Sequence, residues 1–447
     1  MKKQISIITL ITLMSASAFA EGYQVNMLSA KQSAMGHVGV AMKLGAESMH
    51  FNPAGMAFLN ETAHFSVGAS GIFSEAMYSH NGYKASTDND MSTPLFAYAA
   101  FSITDYLKAG ISVTTPYGNG LDWGEEWKGS ALVQNINLQS FSYQPTLSWK
   151  VTDNFSIGAG MMIMHGNFSL SRSMLHGSAL GALAGALPPA MGGSLAPLLD
   201  EYKDRNLLSA TLEGDSRVAV GFNVGLMWDI NEKVSIGASY RSKVQMKVKD
   251  GEAELDYIDD VIEGLAGKLP PGLIPPLEEG TFTAALPLPA NLTVGVSYRP
   301  NTRLQLAMDL QMVGWSAYQN LTVQFSEEVL NGYSIVADKK YKDTVIARLG
   351  AEYKLAEHWD LRAGTYFDQT PVNKDYYNPE TPGMNKIGAA VGFTYRPFEG
   401  FGIDFAATYI HGLGNEGSYP LDNKGNRFAG EYGSTAFAPT IGLSYTF

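Results

Sequence analysis

From Thr62 to the end of the chain, apolar and polar residues alternate one by one over many short stretches, the period-2 pattern of β-strands. Six places show two such stretches joined by a few polar residues: Phe101–Val113, Lys150–Gly160, Trp228–Tyr240, Ser297–Leu310, Glu352–Gly364 and Thr394–Tyr409. Each has a strand-like end, a short turn and renewed alternation, which predicts a β-hairpin. Longer, irregular connections fall between them, at about 76–92, 118–131, 173–214, 250–286, 326–341, 370–386 and 412–434. Six short turns and seven long connections join fourteen strands, an even number that puts both strand termini on one side. Short turns at one end and long loops at the other predict a 14-stranded antiparallel transmembrane β-barrel of the outer-membrane type.

The ends of the pattern agree. The last residues, TIGLSYTF, place Ile441, Leu443, Tyr445 and Phe447 on one face, and a terminal Phe on such a strand resembles the assembly signal of outer-membrane barrels. Leu132–Val151 and Ser156–Ser173 are longer than the strands of soluble sheets. In a soluble sheet the apolar set would face a core. In a membrane barrel it faces lipid and the lumen is polar; alternation alone does not distinguish the two.

Composition narrows the class. The 447 residues include 47 Gly and no Cys, with only 17% charged and 11% aromatic residues. Without Cys there are no disulfides, zinc–thiolate sites or thiol nucleophiles. Residues 1–20 combine Lys2 and Lys3, an apolar run from Ile5 to Met14 and Ala18-Phe19-Ala20, the pattern of a cleaved signal peptide. Its removal leaves 29 Lys and Arg against 43 Asp and Glu, a formal net charge of −14, which disfavours nucleic acid as a partner. No later segment has eighteen consecutive apolar residues, so a membrane would have to be crossed by strands.

Residues 21–61 precede the barrel, which takes up 62–447. They are rich in Ala, Met and Gly, too few for a domain and too apolar for a free tail. A fourteen-stranded barrel can enclose them, so they read as a helical plug. Within it, Asn52 can cap a turn and Pro53 lacks an N–H, so a helix ends or restarts there. The stretch TTPYGNG joins Pro116 with Gly118 and Gly120, which either ends a strand or opens a distortion in it. Connections 173–214 and 250–286 are apolar, unlike ordinary exposed loops; Leu180, Leu183, Leu187, Leu195, Leu198, Leu265, Leu269, Leu273 and Ile274 can line an outer groove or bury one another as a lid.

No nucleotide, hydrolase or metal-ligand pattern is present, so no cofactor is implied; the acids at Asp122–Glu126 and Asp256–Glu263 read as solvated loop charges. His165 near Ser169 and Ser171 is the one grouping that a lipase reading could use.

The chain resembles the FadL family of outer-membrane transporters for long-chain fatty acids and other hydrophobic compounds. The resemblance rests on Gly22-Tyr23-Gln24-Val25-Asn26, Asn52-Pro53-Ala54, Thr115-Pro116-Tyr117-Gly118, Tyr240-Arg241-Ser242, Gly314-Trp315-Ser316, Asp368–Val372 and Tyr409–Gly412, in order. It implies a passive transporter that takes a hydrophobic ligand at a groove of the two apolar loops and passes it to an inner pocket. A gap at Pro116, Tyr117 and Gly118 would then release it sideways into the outer-membrane lipid. It also implies a head-group site at Arg172 and Lys342 with Tyr23 beside it, Arg348 and Arg217 being nearby alternatives, and a plug shaped by Asn52, Pro53 and Ala54. The expected partner is a long-chain fatty acid or, alternatively, an aromatic hydrocarbon; the expected assembly is a monomer.

Overall fold

The computed structural model describes residues 22–177, 201–203, 205–266, 280–326, 334–422 and 424–447. Alternation becomes fourteen staves. The first four are β1 (Ala63–Ser70 with Phe73–His80), β2 (Tyr83–Ser86 with Leu95–Ser102), β3 (Leu107–Thr114 with Gly118–Asp122) and β4 (Asn135–Thr152). Next come β5 (Phe155–His176), β6 (Asn206–Asp215 with Ala219–Asp229) and β7 (Val234–Arg241 with Val244–Tyr257). The chain continues through β8 (Gly280–Leu288 with Asn291–Tyr298), β9 (Leu304–Val313 with Asn320–Phe325) and β10 (Ser334–Asp338 with Thr344–Ala356). The last four are β11 (Trp359–Asp368), β12 (Lys386–Phe398), β13 (Phe401–Gly412 with Asn415–Pro420) and β14 (Arg427–Thr446).

Each stave pairs antiparallel with its chain neighbour, and β14 pairs with β1 from His64↔Thr446 through Ser70↔Thr440, closing the barrel. Closure leaves no free sheet edge, as a lipid environment requires. The faces are inverted relative to a soluble protein. Along β6, Val220, Phe222, Val224, Leu226 and Trp228 are exposed, Phe222 at 50%, whereas Asn223 between them is fully buried. Ile441, Leu443 and Phe447 of the last stretch also lie on the outer, exposed face.

Two expected long connections are instead mostly strand. In place of a loop over 76–92, Asn81 and Gly82 make a tight hairpin with positive φ at both residues (47° and 81°). Asn-Gly is the residue pair that such a turn favours. The irregular residues 87–94 lie inside β2, where Ser92 bridges to Ile72. Over 412–434, β13 resumes at Asn415 and β14 begins at Arg427. The connection between β11 and β12 turns inward: Tyr377, Asn378, Glu380 and Met384 are buried, Asn119 Nδ2 donates to Glu380 O (2.9 Å), and Trp123 Nε1 donates to Pro379 O (3.1 Å).

Residues 22–59 fill the opposite part of the lumen as short helical turns: α1 (Ala30–Ala34), α2 (Ser48–Phe51) and a 3₁₀ turn over Pro53–Phe58. This hatch docks by backbone. Asn52 Oδ1 accepts the Ala54 N–H (3.1 Å) and caps the 3₁₀ turn, with Pro53 in its first turn, where the missing N–H costs nothing. Asn52 Nδ2 donates to Val40 O (2.7 Å) in the hatch and to Leu226 O (3.0 Å) in the wall. Asn-Pro-Ala is thus a turn and a crosslink at once. A second anchor is Asp309, whose Oδ2 accepts Gly39 N (2.7 Å) and Val40 N (3.1 Å). A third is ionic: Lys31 lies 3.5 Å from Glu47 and 3.7 Å from Asp404 of β13. Burial opposes the Lys31 charge, but Asp404 and Glu47 outweigh it and raise its pKa.

Close approach needs missing side chains. A Cβ at Gly364 of β11 would overlap the Met35 carbonyl, and one at Gly36 (φ 66°) would stand 2.8 Å from Thr365 N. The two glycines let the hatch and wall backbones touch.

Asn52→Ala removes two donors and a cap, so the hatch around Val40–Phe58 should open more easily by about 2 kcal/mol, read as faster amide exchange there with the barrel ladders unchanged. Gly364→Ala forces backbone apart; amide protection over Met35–His37 should fall while the heat-resistant electrophoretic band of the closed barrel persists.

Candidate functional site

The lumen has three levels. Uppermost is an apolar pocket of about 630 Å³ walled by Leu170, Leu212, Leu255, Leu321, Val323 and Phe325, with Arg172, Glu254 and Glu380 among its polar lining. Period-2 geometry explains it. Alternate residues of β5 and β6 point inward, and Arg172 stands in register with Ala210, a small neighbour that leaves space beside it. Glu380 comes from the inturned connection and pairs with Lys339, whose side chain is buried.

Below this pocket lies an aromatic floor. Tyr23 packs edge-on against Trp315 (4.9 Å between ring centres) and Tyr318 (5.7 Å), and Tyr318 against Tyr341 (5.1 Å). Tyr23 OH donates to Pro287 O. Tyr23 therefore belongs to the floor, one layer under Arg172. Gly22 leads the hatch in at φ 60°, and a side chain there would strike the Trp315 ring.

The third level is a polar cleft of about 590 Å³ between the hatch and β7–β10, bounded on one side by Pro116 and Tyr117. Here the wall is interrupted. Below the interruption β2 pairs with β3 up to Phe96↔Thr114, and Thr115 N still reaches Leu95 O (3.2 Å). Above it Asp88 N meets Asp122 O (2.8 Å) and Asp122 N meets Asn89 Oδ1 (2.8 Å). Between these points no backbone bond joins the two staves among the described residues. The hatch takes the abandoned edge: Val25 N donates to Pro116 O (2.8 Å), Gly118 N to Tyr23 O (2.8 Å), and Gln24 forms a bridge to Tyr117. On the opposite edge Ser140 Oγ bonds both Tyr117 N (3.0 Å) and Tyr117 O (2.8 Å). Pro116 explains the break, since it offers no N–H to β2.

The expected residues are thus partly brought together. Pro116, Tyr117 and Gly118 sit at the interruption, and Asn52, Pro53 and Ala54 sit in the hatch. Lys342 does not reach the Arg172 pocket: it is exposed beside β10, and the buried lysine of that segment is Lys339, three residues earlier. Arg217 is also outside, paired with exposed Asp250 (3.4 Å), and Arg348 lies one level down, in the polar cleft. Leu180, Leu183, Leu187, Leu195, Leu198, Leu269, Leu273 and Ile274 lie outside the described residues. Leu265 falls on helix α3 (Asp260–Ala266). Near it, Tyr202, Leu207 and Ile262 form a small cluster, so described parts of the two apolar connections do pack together. Asp259 caps that helix through Val261 N (3.1 Å) and Ile262 N (3.0 Å); these bonds, with that from Tyr202 OH, lower its pKa. His165 bonds Tyr143 OH (3.3 Å), while Ser169 bonds Glu213 (3.2 Å) and Ser171 bonds Thr211 (2.9 Å), so they do not form one catalytic group.

Sequence reading missed Lys339, Glu380 and the inturned connection. Its Pro/Asn-rich stretch NPETPG had a turn signal but nothing to say that the turn points inward.

Comparison with known proteins agrees with this architecture. Residues 11–447 match the family model described as outer membrane protein transport protein (OMPP1/FadL/TodX). The chain is 24% identical over 419 residues to the long-chain fatty acid transport protein of Escherichia coli O6:H1, covering 90% of this chain and 89% of the relative. The crystal structure of a Pseudomonas aeruginosa FadL homologue superposes with a TM-score of 0.78 at 22% identity, over 95% of this chain and all of that one. The toluene transporter TodX of P. putida superposes at 0.71 with 19% identity, over 94% and 99%. A family model that spans the barrel and all but the first residues identifies the chain as a member of the OMPP1/FadL/TodX family, which transports hydrophobic compounds across the outer membrane of Gram-negative bacteria.

Proposed function

We propose that the cargo is a long-chain fatty acid. The ligand is captured at the apolar outer connections, is held in the Arg172 pocket, and leaves sideways through the interrupted β2–β3 ladder into the outer-membrane lipid. The observation that carries this reading is an apolar pocket with a guanidinium in its wall, closed below by an aromatic floor. An alkyl chain needs the first feature and a carboxylate the second. The interruption supports a lateral exit: an apolar ligand that goes sideways into lipid never has to cross an aqueous phase. Transport is passive and follows the ligand's gradient, and one barrel forms a complete path, so a monomer suffices.

A second cargo, an aromatic hydrocarbon, is favoured by one feature. Lys339 and Glu380 neutralise each other, and Glu254 lines the same pocket, so its charges are close to balanced. A neutral ligand would lose little there.

Uptake of radiolabelled oleate separates the two. Cells lacking their own outer-membrane fatty-acid importer should regain uptake with this protein. Arg172→Ala should reduce that uptake roughly tenfold, the scale of one lost charge-assisted hydrogen bond. Toluene uptake unaffected by the substitution, with no oleate uptake from the wild type, would favour the hydrocarbon.

A further inference from the structure

The polar cleft under the aromatic floor is not needed by a pocket that already holds a ligand above it, and its chemistry is distinct. Arg241 on β7 points into it. Its Nη1 donates to the hatch carbonyl His50 O (3.1 Å), its ionisable neighbours are the His50 imidazole and the phenols Tyr117 and Tyr98, and among the described residues it has no carboxylate partner. An enclosed guanidinium without a counter-charge is costly unless something supplies one. Arg348 stands in the same cleft, with Nη2 directed to Asn26 Oδ1 (3.5 Å). The acid opposite Arg348 in register, Asp309, already gives Oδ2 to two hatch N–H groups. The cleft therefore has two guanidinium groups to one carboxylate, in a chain whose overall charge is −12.

The remaining lining suits an anion too. Ser239 Oγ is buried and makes no hydrogen bond among the described residues, and the side-chain oxygens of Asn291 and Gln311 are likewise unused there. A hydroxyl can donate and the Gln311 amide can turn its NH₂ to the cleft, so two further donors stand beside the arginines, while Asn291 is engaged with Tyr117. The cleft lining is polar where that of the upper pocket is apolar, and it opens beside Pro116, where the β2–β3 ladder is missing.

We propose that this cleft is a second anion station, which takes the carboxylate of an amphipathic ligand at Arg241 and Arg348 while its alkyl tail lies toward the interrupted ladder. The assignment rests on the fatty-acid reading for the ligand's chemical class. It places a head group behind the wall at the level where the tail can reach lipid, with the hatch strand Gln24–Asn26 between the two stations.

Equilibrium binding of radiolabelled oleate to the purified, detergent-solubilised full chain tests it, with folding checked by the heat-resistant band. The wild type should bind two molecules. Arg172→Ala should lose one, Arg241→Gln should weaken the other tenfold to a hundredfold, roughly the scale of a charge-assisted contact, and Arg241→Lys should restore most of that loss. A wild type that binds one molecule, lost in Arg172→Ala and unchanged in Arg241→Gln, overturns the second station and leaves the fatty-acid reading standing. A wild type that binds no oleate overturns both. Because a second molecule could also sit at the outer connections, Arg348→Gln repeats the test if Arg241→Gln does not fold: binding of the second molecule unchanged there overturns the second station.

Discussion

A barrel of fourteen staves is wider than its own inward side chains can fill. Everything else in this molecule follows from how that space is occupied without becoming an open pore. The answer is contact between the hatch and the wall at backbone distance. Asn52 ties the hatch to Leu226, Asp309 holds the Gly39 and Val40 amides, and Gly36 lies against Thr365. These contacts work because the hatch has little regular structure. Its unpaired amides and carbonyls, a liability in a dry interior, become the means of attachment.

The same contact gives the interruption in the wall its meaning. Pro116 breaks the β2–β3 ladder, and an unfilled edge facing a lumen would carry unsatisfied groups. The hatch supplies them with Val25 N and Tyr23 O. Tyr23 then serves twice, since its backbone completes the edge and its ring forms the floor of the upper pocket. The barrier between the upper pocket and the cleft, and the seal of the wall, are thus made by neighbouring atoms of one short segment.

Much of this was legible from the chain. Alternation located the staves, because lipid outside and water inside impose a strict period of two. The turns at Asp153-Asn154 and at Pro397–Gly400 were legible because turn chemistry is local. Asn81-Gly82 is the instructive failure. The pair is a strong hairpin signal, yet it was absorbed into a long connection because residues 87–94 that follow do not alternate. They are irregular for a reason that no local rule contains: β2 leaves β3 there. Lys342 and Lys339 show a similar limit. Three residues apart, an odd spacing, they take opposite faces, and the irregular stretch around Lys340 (φ 49°) carries no local sign of which of the two points inward. Arg172 came from the resemblance, not from any local pattern. Arg241 was visible only as part of a resemblance, because its surroundings come from the hatch and from five staves.

The closing pair of the barrel, His64↔Thr446, joins residues at the two ends of the described wall. Contacts so remote in sequence carry the largest loop-closure cost and form late. The hatch precedes all the staves in the chain and touches β5, β6 and β9 to β13 around its circumference. A finished ring would have to be entered end-on by a segment that docks on several sides at once. A sheet that closes around the hatch avoids that passage, which ties ring closure to hatch docking.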